Sequence, residues 1–241
     1  MKRIGAIYAD DAWVDCEAQE MVAEFARFLP VAVEMISAGT YVPAEANTLE
    51  HGIRLACNGE IEEAARRLTR HGPDIYAYYC TTVSFARGVG GDLDIAERIT
   101  RATGRPATTT STGMIAALRH LNIKRVALAS PYLPDVQARF VAFVEAHGLQ
   151  VAAQSSLQLE QAHSRVEPES MRALAESVDA PDAEAIFIGC TGQKLALLLD
   201  DIEARLGKPV LTACQVTTWH ACRLLGESRE VPGRGLLLRT P

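Results

Sequence analysis

Two stretches decide the fold: Asp74-Ile75-Tyr76-Ala77-Tyr78-Tyr79-Cys80-Thr81-Thr82-Val83-Ser84 and Glu184-Ala185-Ile186-Phe187-Ile188-Gly189-Cys190-Thr191-Gly192-Gln193. Each is an apolar run too short for a helix, and each ends in a cysteine followed by hydroxyl-bearing or small polar residues. Outward from the first, residues 4–8, 31–36 and 107–110 are further short apolar runs that predict strands. Between them, 19–29 and 50–71 carry helical spacing. In 50–71, Ile53, Leu55, Ile61, Ala64 and Leu68 recur at helical intervals, while Glu60, Glu62, Glu63, Arg66 and Arg67 fall elsewhere. Outward from the second stretch the plan repeats. Strands are predicted at 125–129, 149–153, 185–188 and 209–211, and helices at 135–147, 169–178, 194–206 and 216–225. Gly148 and Gly207 sit where helix C-caps belong, and Pro209 forbids continuing the preceding helix.

Alternating strands and helices of this kind make a parallel sheet flanked by helices. The expectation is an α/β protein of two similar lobes, each a parallel four-stranded sheet, related by a pseudo-two-fold axis and meeting near residues 112–124. The N-terminal lobe is 1–112 and the C-terminal lobe 113–214. The last segment, 215–241, is open to crossing back to the first lobe. Ligands of open α/β sheets bind beyond the carboxyl ends of the strands. Cys80 and Cys190, at corresponding strand ends, are therefore expected to face each other across the cleft between the lobes.

Composition narrows the function classes. Thirty acidic against 24 basic residues give a formal charge of −6 over 241 residues, which disfavours nucleic acid and anionic membrane as partners. No apolar run approaches the ~20 residues of a membrane span. The opening Met1-Lys2-Arg3-Ile4-Gly5-Ala6-Ile7-Tyr8 reads as a first strand, not a signal peptide. The six cysteines are too few for a disulfide scaffold, and no C-x-x-C or close Cys/His quartet suggests zinc, so a reducing cytoplasm is the simplest setting. Nothing provides a metal cluster, a PLP lysine context or a dinucleotide fingerprint, so no cofactor is expected. Gly88-x-Gly90-Gly91 lacks both a P-loop lysine and Rossmann spacing. Self-association is left open.

A thiol at a helix N-terminus ionises more readily than a free one and serves as base or nucleophile. Adjacent N–H groups, with the Thr81, Thr82 and Thr191 hydroxyls, suit a carboxylate and the enediolate formed when a proton leaves the carbon beside it. One thiolate and one thiol on opposite faces of that carbon make a cofactor-free proton-transfer site. The competing reading is that both cysteines are small buried hydrophobes.

These motifs resemble the aspartate/glutamate/hydantoin racemase superfamily, whose signatures are Cys-Asn-Thr in the first lobe and Gly-Cys-Thr in the second. The second is intact as Gly189-Cys190-Thr191, whereas Thr81 replaces the Asn of the first. That departure points to the branch of maleate cis-trans isomerase and arylmalonate decarboxylase. Cys80-Thr81-Thr82-Val83-Ser84-Phe85-Ala86-Arg87-Gly88 resembles the decarboxylase segment Gly-Thr-Ser-Leu-Ser-Phe-Tyr-Arg-Gly. Pro131-Tyr132-Leu133-Pro134-Asp135-Val136 resembles its tyrosine loop, and Glu203-Ala204-Arg205-Leu206-Gly207-Lys208-Pro209-Val210 its late helix–strand join.

The resemblance covers nearly the whole chain. It implies that Cys190 delivers a proton to the enediolate and that Thr81, Thr82, Tyr132 and the Thr191/Gly192 backbone cradle the carboxylate. Cys80 stands where the decarboxylase has Gly and the racemases and the isomerase have Cys. The first-strand loop Ala9-Asp10-Asp11-Ala12-Trp13 departs from the isomerases' Pro-Ser-Ser-Asn-Thr. Asp10 either hydrogen-bonds a catalytic group or caps the first helix. His163 falls near the family's substrate-contacting loop and is either a ligand contact or an ordinary loop histidine. Trp13, Trp219 and His220 either line the pocket or belong to the core, and Cys16, Cys57, Cys214 and Cys222 read as bystanders. The leading expectation is a cofactor-independent isomerase or racemase acting beside the carboxylate of a small organic acid through Cys80 and Cys190. The alternatives are a decarboxylase of a substituted malonate using Cys190 alone, and a non-catalytic small-acid binding protein.

Overall fold

Two sheets of four parallel strands each, ordered β2-β1-β3-β4 and β6-β5-β7-β8, organise the chain, so the second half repeats the strand order of the first. The structure is a computed structural model that describes residues 1–11, 17–43, 45–161 and 163–240, with side chains for all of these except residues 10, 11, 17 and 18. The first half comprises β1 (Lys2–Asp11), α1 (Glu17–Ala26), β2 (Val33–Val42), α2 (Leu49–Cys57), α3 (Glu60–Thr69), β3 (Ile75–Tyr79), α4 (Thr81–Phe85), α5 (Gly91–Thr103), β4 (Ala107–Thr109) and α6 (Thr110–His120). The second comprises β5 (Arg125–Ser130), α7 (Pro134–Ala146), β6 (Gln150–Ser156), α8 (Pro168–Ser177), β7 (Ala185–Ile188), α9 (Leu199–Leu206), β8 (Val210–Thr212) and α10 (Ala213–Leu224). Short 3₁₀ turns lie at His163–Arg165 and Leu236–Arg239.

β3 and β7 lie inside their sheets, and every residue of both is buried. That explains why they read as unbroken apolar runs rather than alternating ones. β2 and β6 are edge strands with intermittent burial, and their lengths were correspondingly hard to read. The sequence placed a strand at 31–36, but Val31 is exposed after Pro30 and the strand runs from Val33 to Val42.

The helix expected over 50–71 is two helices. Asn58-Gly59 breaks it: Gly59 takes a left-handed φ of 83°, and the Asn58 side chain accepts from the Glu60 N–H at 3.1 Å. The junction expected near 112–124 is largely helical, since α6 runs to His120.

α6 and α10 follow the last strand of each sheet and cross closely. A Cβ on Gly113 would stand 2.7 Å from the Val216 carbonyl oxygen. The Thr217 hydroxyl donates to that of Thr110 at 2.9 Å across the same crossing. α10 also lies against β3 and β4 of the first sheet, where the Tyr79 hydroxyl meets that of Thr218 at 2.8 Å. The closing segment is tied to both halves: Arg234 Nε donates to the Arg27 carbonyl at 3.0 Å, and Glu203 of α9, a carboxylate whose pKa is raised by burial, accepts from the N–H groups of Val210 and Leu236. Among the described residues no helix is long and apolar enough to cross a membrane.

The Gly113 crossing leaves no room for a methyl group unless the helices part. Gly113→Ala is expected to lower stability by about 2 kcal/mol, the usual cost of overpacking a tight contact. A urea-unfolding midpoint shifted down at constant slope checks it.

Candidate active site

The end of β3 hands directly into α4, a five-residue helix. Cys80 is its N-cap residue in extended conformation, with φ −159° and ψ 111°. The Cys80 carbonyl accepts from the Ser84 N–H at 3.2 Å, and the Ser84 hydroxyl is fixed between the Thr81 carbonyl (2.9 Å) and the Ser111 hydroxyl (2.6 Å). The first N–H groups of α4 have no acceptor within the helix, so they form a weakly electropositive rim beside the Cys80 side chain.

The end of β7 is built differently. Gly189 passes so close to Tyr132 that a Cβ there would meet its ring and hydroxyl at 3.2 Å. Cys190 then adopts a left-handed backbone, φ 79°. For a residue with a side chain this conformation costs about 1–2 kcal/mol. No helix follows. The helix expected from 194 begins at Leu199, so Cys190 does not sit at a helix N-terminus. The intervening turns are held by tertiary contacts: Gly192 is packed on Ser164, Gln193 donates to the His163 carbonyl at 2.8 Å, and the Ala196 N–H donates to Glu24 at 2.6 Å. Burial raises the pKa of that Glu24 carboxyl, while the N–H bonds it accepts oppose the rise.

The two strand ends are bonded crosswise. The Cys190 N–H donates to the Thr81 hydroxyl oxygen at 3.2 Å, and the Thr191 hydroxyl donates to the Tyr79 carbonyl at 3.3 Å. The Gly192 N–H points to Cys190 Sγ at 3.4 Å, and the Cys214 thiol donates to the Thr191 carbonyl at 3.1 Å. The Thr191 hydroxyl, expected to suit a carboxylate, is engaged between the two halves in this structure. Thr81 accepts with its oxygen and retains its own proton to donate.

Between the strand ends lies a cavity, partly open to solvent, and both cysteines line it. Thr81, Thr82, Tyr132, His163, Thr191 and Gly192 share its wall. The Tyr132 side chain is fully buried, and its hydroxyl stands beside Thr81 and Thr82 without a hydrogen bond of acceptable geometry. Burial holds its pKa well above the usual phenol value, and the neighbouring Cys190 pushes the same way, so the group stays a proton donor. His163 lies with its ring 5.9 Å from that of Tyr132, and its Nε2 faces the Leu159 carbonyl at 3.0 Å. Burial lowers its pKa, which keeps the ring neutral with Nε2–H donating.

Other expectations fare variously. Asp10 and Asp11 end β1 opposite Tyr41 and Val42, and their side chains lie outside the described residues, as do Trp13 and Cys16. Trp219 and His220 sit on α10 away from the cavity. His220 Nδ1 pairs with the Thr108 hydroxyl at 2.7 Å, and burial lowers its pKa to about 4. Cys214 and Cys222 are buried, with pKa values pushed well up and to about 12 respectively, while Cys57 is exposed. Sequence reasoning missed one wall. Val42, Asn47, Thr48, His51 and Leu55 reach the cavity from the end of β2 and from α2. The available signal was Thr48, an N-cap residue whose hydroxyl accepts from the His51 N–H at 3.2 Å. Among the described residues no cluster of three His, Cys, Asp or Glu side chains is placed to hold a metal ion.

Two repeated lobes with a cysteine from each strand end on one cavity define an Asp/Glu racemase-like protein of the decarboxylase and maleate isomerase branch. A family model described as arylmalonate decarboxylase matches residues 42–238, and the chain belongs to that family. It is 33% identical over 182 residues to an arylmalonate decarboxylase of Bordetella bronchiseptica, covering 73% of this chain and 76% of the relative. It is 28% identical over 192 residues to a maleate isomerase of Nocardia farcinica, covering 76% of each. Among solved structures, a liganded double mutant of arylmalonate decarboxylase superposes with TM-score 0.86 at 30% identity, covering 98% of both chains. A Nocardia farcinica maleate cis-trans isomerase mutant with a covalently bound succinylcysteine intermediate shares the fold, with TM-score 0.87 at 22% identity over 100% of this chain and 99% of that one.

The strained backbone at Cys190 gives a direct test of the local geometry. Cys190→Gly is expected to be more stable than Cys190→Ala by about 1 kcal/mol, because only glycine accepts a left-handed φ without a Cβ clash. Paired denaturant titrations of the two variants check this. Equal midpoints mean that Cys190 carries no such strain.

Proposed function

We propose that the protein is a cofactor-independent enzyme acting on the carbon next to a carboxylate of a small organic acid, with Cys80 and Cys190 as an isomerase or racemase pair. The observation that carries this reading is that the two cysteines, from corresponding strand ends, line one cavity whose wall also carries the Thr81, Thr82 and Tyr132 hydroxyls. One cysteine, as thiolate, takes the proton from the substrate carbon. The C–H electron pair moves into the carboxylate as an enediolate, and the opposite thiol returns its own proton to the other face. On an unsaturated diacid the thiolate instead adds to the double bond. Rotation about the resulting single bond and loss of the thiolate then give the other isomer.

In either case negative charge gathers on the carboxylate oxygens. The Thr82 and Tyr132 hydroxyls and the first N–H groups of α4 answer it. Tyr132 suits this role because burial keeps it protonated.

A second reading is favoured by the matching family model and by the 33% identity to a decarboxylase. A substituted malonate would lose one carboxylate as carbon dioxide, and Cys190 would protonate the enediolate left behind. Cys80 is then a bystander. A small-acid binding protein without turnover is the remaining alternative.

Proton exchange into a panel of small mono- and dicarboxylic acids in deuterated water, with gas release followed in parallel, separates these readings. With two working thiols, Cys80→Ala and Cys190→Ala each lower turnover by about 10³-fold or more, the scale of losing a positioned acid or base. A decarboxylase keeps its rate without Cys80, and a binder has none to lose. A Cys80→Ala protein with undiminished turnover ends the two-thiol reading.

The active form needs one thiolate and one thiol together. The rate is therefore expected to follow a bell in pH, rising as the first cysteine ionises and falling as the second does. Brief iodoacetamide treatment at neutral pH, mapped by mass spectrometry, is expected to leave Cys214 and Cys222 unmodified. Their raised pKa values leave almost no thiolate there and burial denies access. Cys80 and Cys190 are expected to be labelled and then protected by a bound carboxylate. Labelling that ignores the carboxylate contradicts the shared cavity.

A further inference from the structure

Cys190 lacks the helix N-terminus that Cys80 has, so the donor beside its sulfur comes from elsewhere. With its left-handed φ of 79°, Cys190 sets its side chain over the turn that follows, and the Gly192 N–H stands 3.4 Å from Sγ. This is a turn closed by a side chain onto the N–H two residues on, as Asn and Asp close theirs with oxygen. That N–H is one end of the Thr191–Gly192 peptide. The other end, the Thr191 carbonyl, accepts from the Cys214 thiol of α10 at 3.1 Å. One peptide therefore links two sulfurs: the Cys214 S–H holds its oxygen, and its N–H points at Cys190.

Cys214 is suited to this task. It is 1% exposed, and burial, then the neighbouring Glu24 and Cys190, push its pKa well above the usual thiol value. It stays a thiol through the neutral range, with its one proton on the Thr191 oxygen. The peptide is backed from the other side as well, since a Cβ on Gly192 would meet the Ser164 backbone at 3.0 Å. A hydrogen bond at a peptide oxygen strengthens the donor at the other end of the same unit. The bond to Cys190 is charge-assisted only when Cys190 is a thiolate, so whatever holds the peptide favours the ionised form.

We infer that Cys214 is a positioning residue for Cys190: through the Thr191–Gly192 peptide it keeps an N–H on Sγ and so raises the share of Cys190 present as thiolate. This rests on the reading above in which Cys190 works through its sulfur. Cys80 is left alone, because its neighbouring N–H groups belong to α4. From the sequence Cys214 reads as a bystander; in the fold it gives the two cysteines of the cavity separate controls.

The test follows alkylation by iodoacetamide against pH, at Cys190 and Cys80 separately by mass spectrometry, in the wild type, Cys214→Ala, Cys214→Val and Cys214→Ser. Among the described residues Tyr132, His51, His163 and Cys80 share the cavity with Cys190, and Glu24 of α1 stands beside Cys214. None of these is changed, and a neutral thiol at 214 has no charge to lose. Cys214→Ala and Cys214→Val, which lack a donor, are expected to raise the Cys190 midpoint by about 0.5–1 pH unit, or about threefold to tenfold less thiolate below it. The Cys80 midpoint is expected to stay within about 0.2 unit. Cys214→Ser keeps an O–H donor and recovers half of the shift or more. A merely structural role lowers the unfolding midpoints of the variants without moving Cys190 relative to Cys80.

A Cys190 midpoint unmoved in Cys214→Ala and Cys214→Val overturns the assignment. So does a shift shared by Cys80, a Cys214→Ser shift as large as that of Cys214→Ala, or a wild-type Cys190 that never labels. Where Cys214→Ala does not fold, Cys214→Val and Cys214→Ser decide it. Failure of the two-cysteine chemistry is a separate result: turnover is undiminished in Cys80→Ala, while the Cys190 midpoint still responds to Cys214.

Discussion

The hydroxyl of Thr81 accepts from the Cys190 N–H, and the hydroxyl of Thr191 donates to the Tyr79 carbonyl. Each half thus uses the threonine after its own cysteine to fasten the strand end of the other. Everything at the site depends on this exchange. Apolar packing alone fixes no register between one loop and another. With the exchange, the backbone on both sides of the cleft is held at hydrogen-bond distance. Two such bonds contribute about 1 kcal/mol each, similar in size to the cost of the left-handed backbone at Cys190. The Thr81 bond takes up the Cys190 N–H directly, so the strain sits where the lobes are best tied.

The packing beneath explains why these strand ends do not drift. Tyr79 stacks on Phe25 with centroids 4.1 Å apart and closes its hydroxyl onto Thr218 of α10, so the last residue of β3 is fixed from two helices. On the other side Phe85 of α4 stacks on Phe140 of α7 at 5.0 Å, and Tyr132 meets both rings edge-on at 6.0 Å. The short helix that follows Cys80 is therefore docked on the second half by aromatic contact. Aromatic pairs of this kind add about 0.5–1.5 kcal/mol each beyond the area they bury. The Tyr132 hydroxyl is carried into the cavity as the polar tip of an otherwise apolar cluster, which is why it is buried and unpaired at once.

Much of this was legible in the sequence because it rests on local patterns. Unbroken apolar runs marked β3 and β7, and the cysteine and threonines at their ends marked the cleft. What was not legible rests on long-range contacts. Nothing in Thr191 says that its hydroxyl will be taken by Tyr79, since that depends on how two lobes meet. The leucines and alanines of 194–198 have helical spacing, yet Glu24, far away in sequence, takes the Ala196 N–H, and α9 starts only at Leu199. The break between α2 and α3 lies at Asn58-Gly59, a turn-forming pair that the helical spacing of the apolar residues on either side masks. His51 lay inside that mistaken long helix. Only once α2 is a separate element, capped by Thr48 and pinned by Asp135, does its first turn face the cavity.

The absence of Lys and Arg from the described cavity wall bears on what the proposed chemistry requires. A fixed cation beside the carboxylate would stabilise the resting substrate nearly as much as the enediolate, and binding both equally leaves the barrier where it was. Neutral donors behave differently. The hydroxyls of Thr81, Thr82 and Tyr132 and the N–H groups opening α4 interact modestly with a carboxylate that shares one charge over two oxygens. They interact more strongly as a second charge gathers on the same atoms. In a cavity shielded by apolar side chains such as Val42, Leu55 and Val83, that difference is enlarged by the low local dielectric.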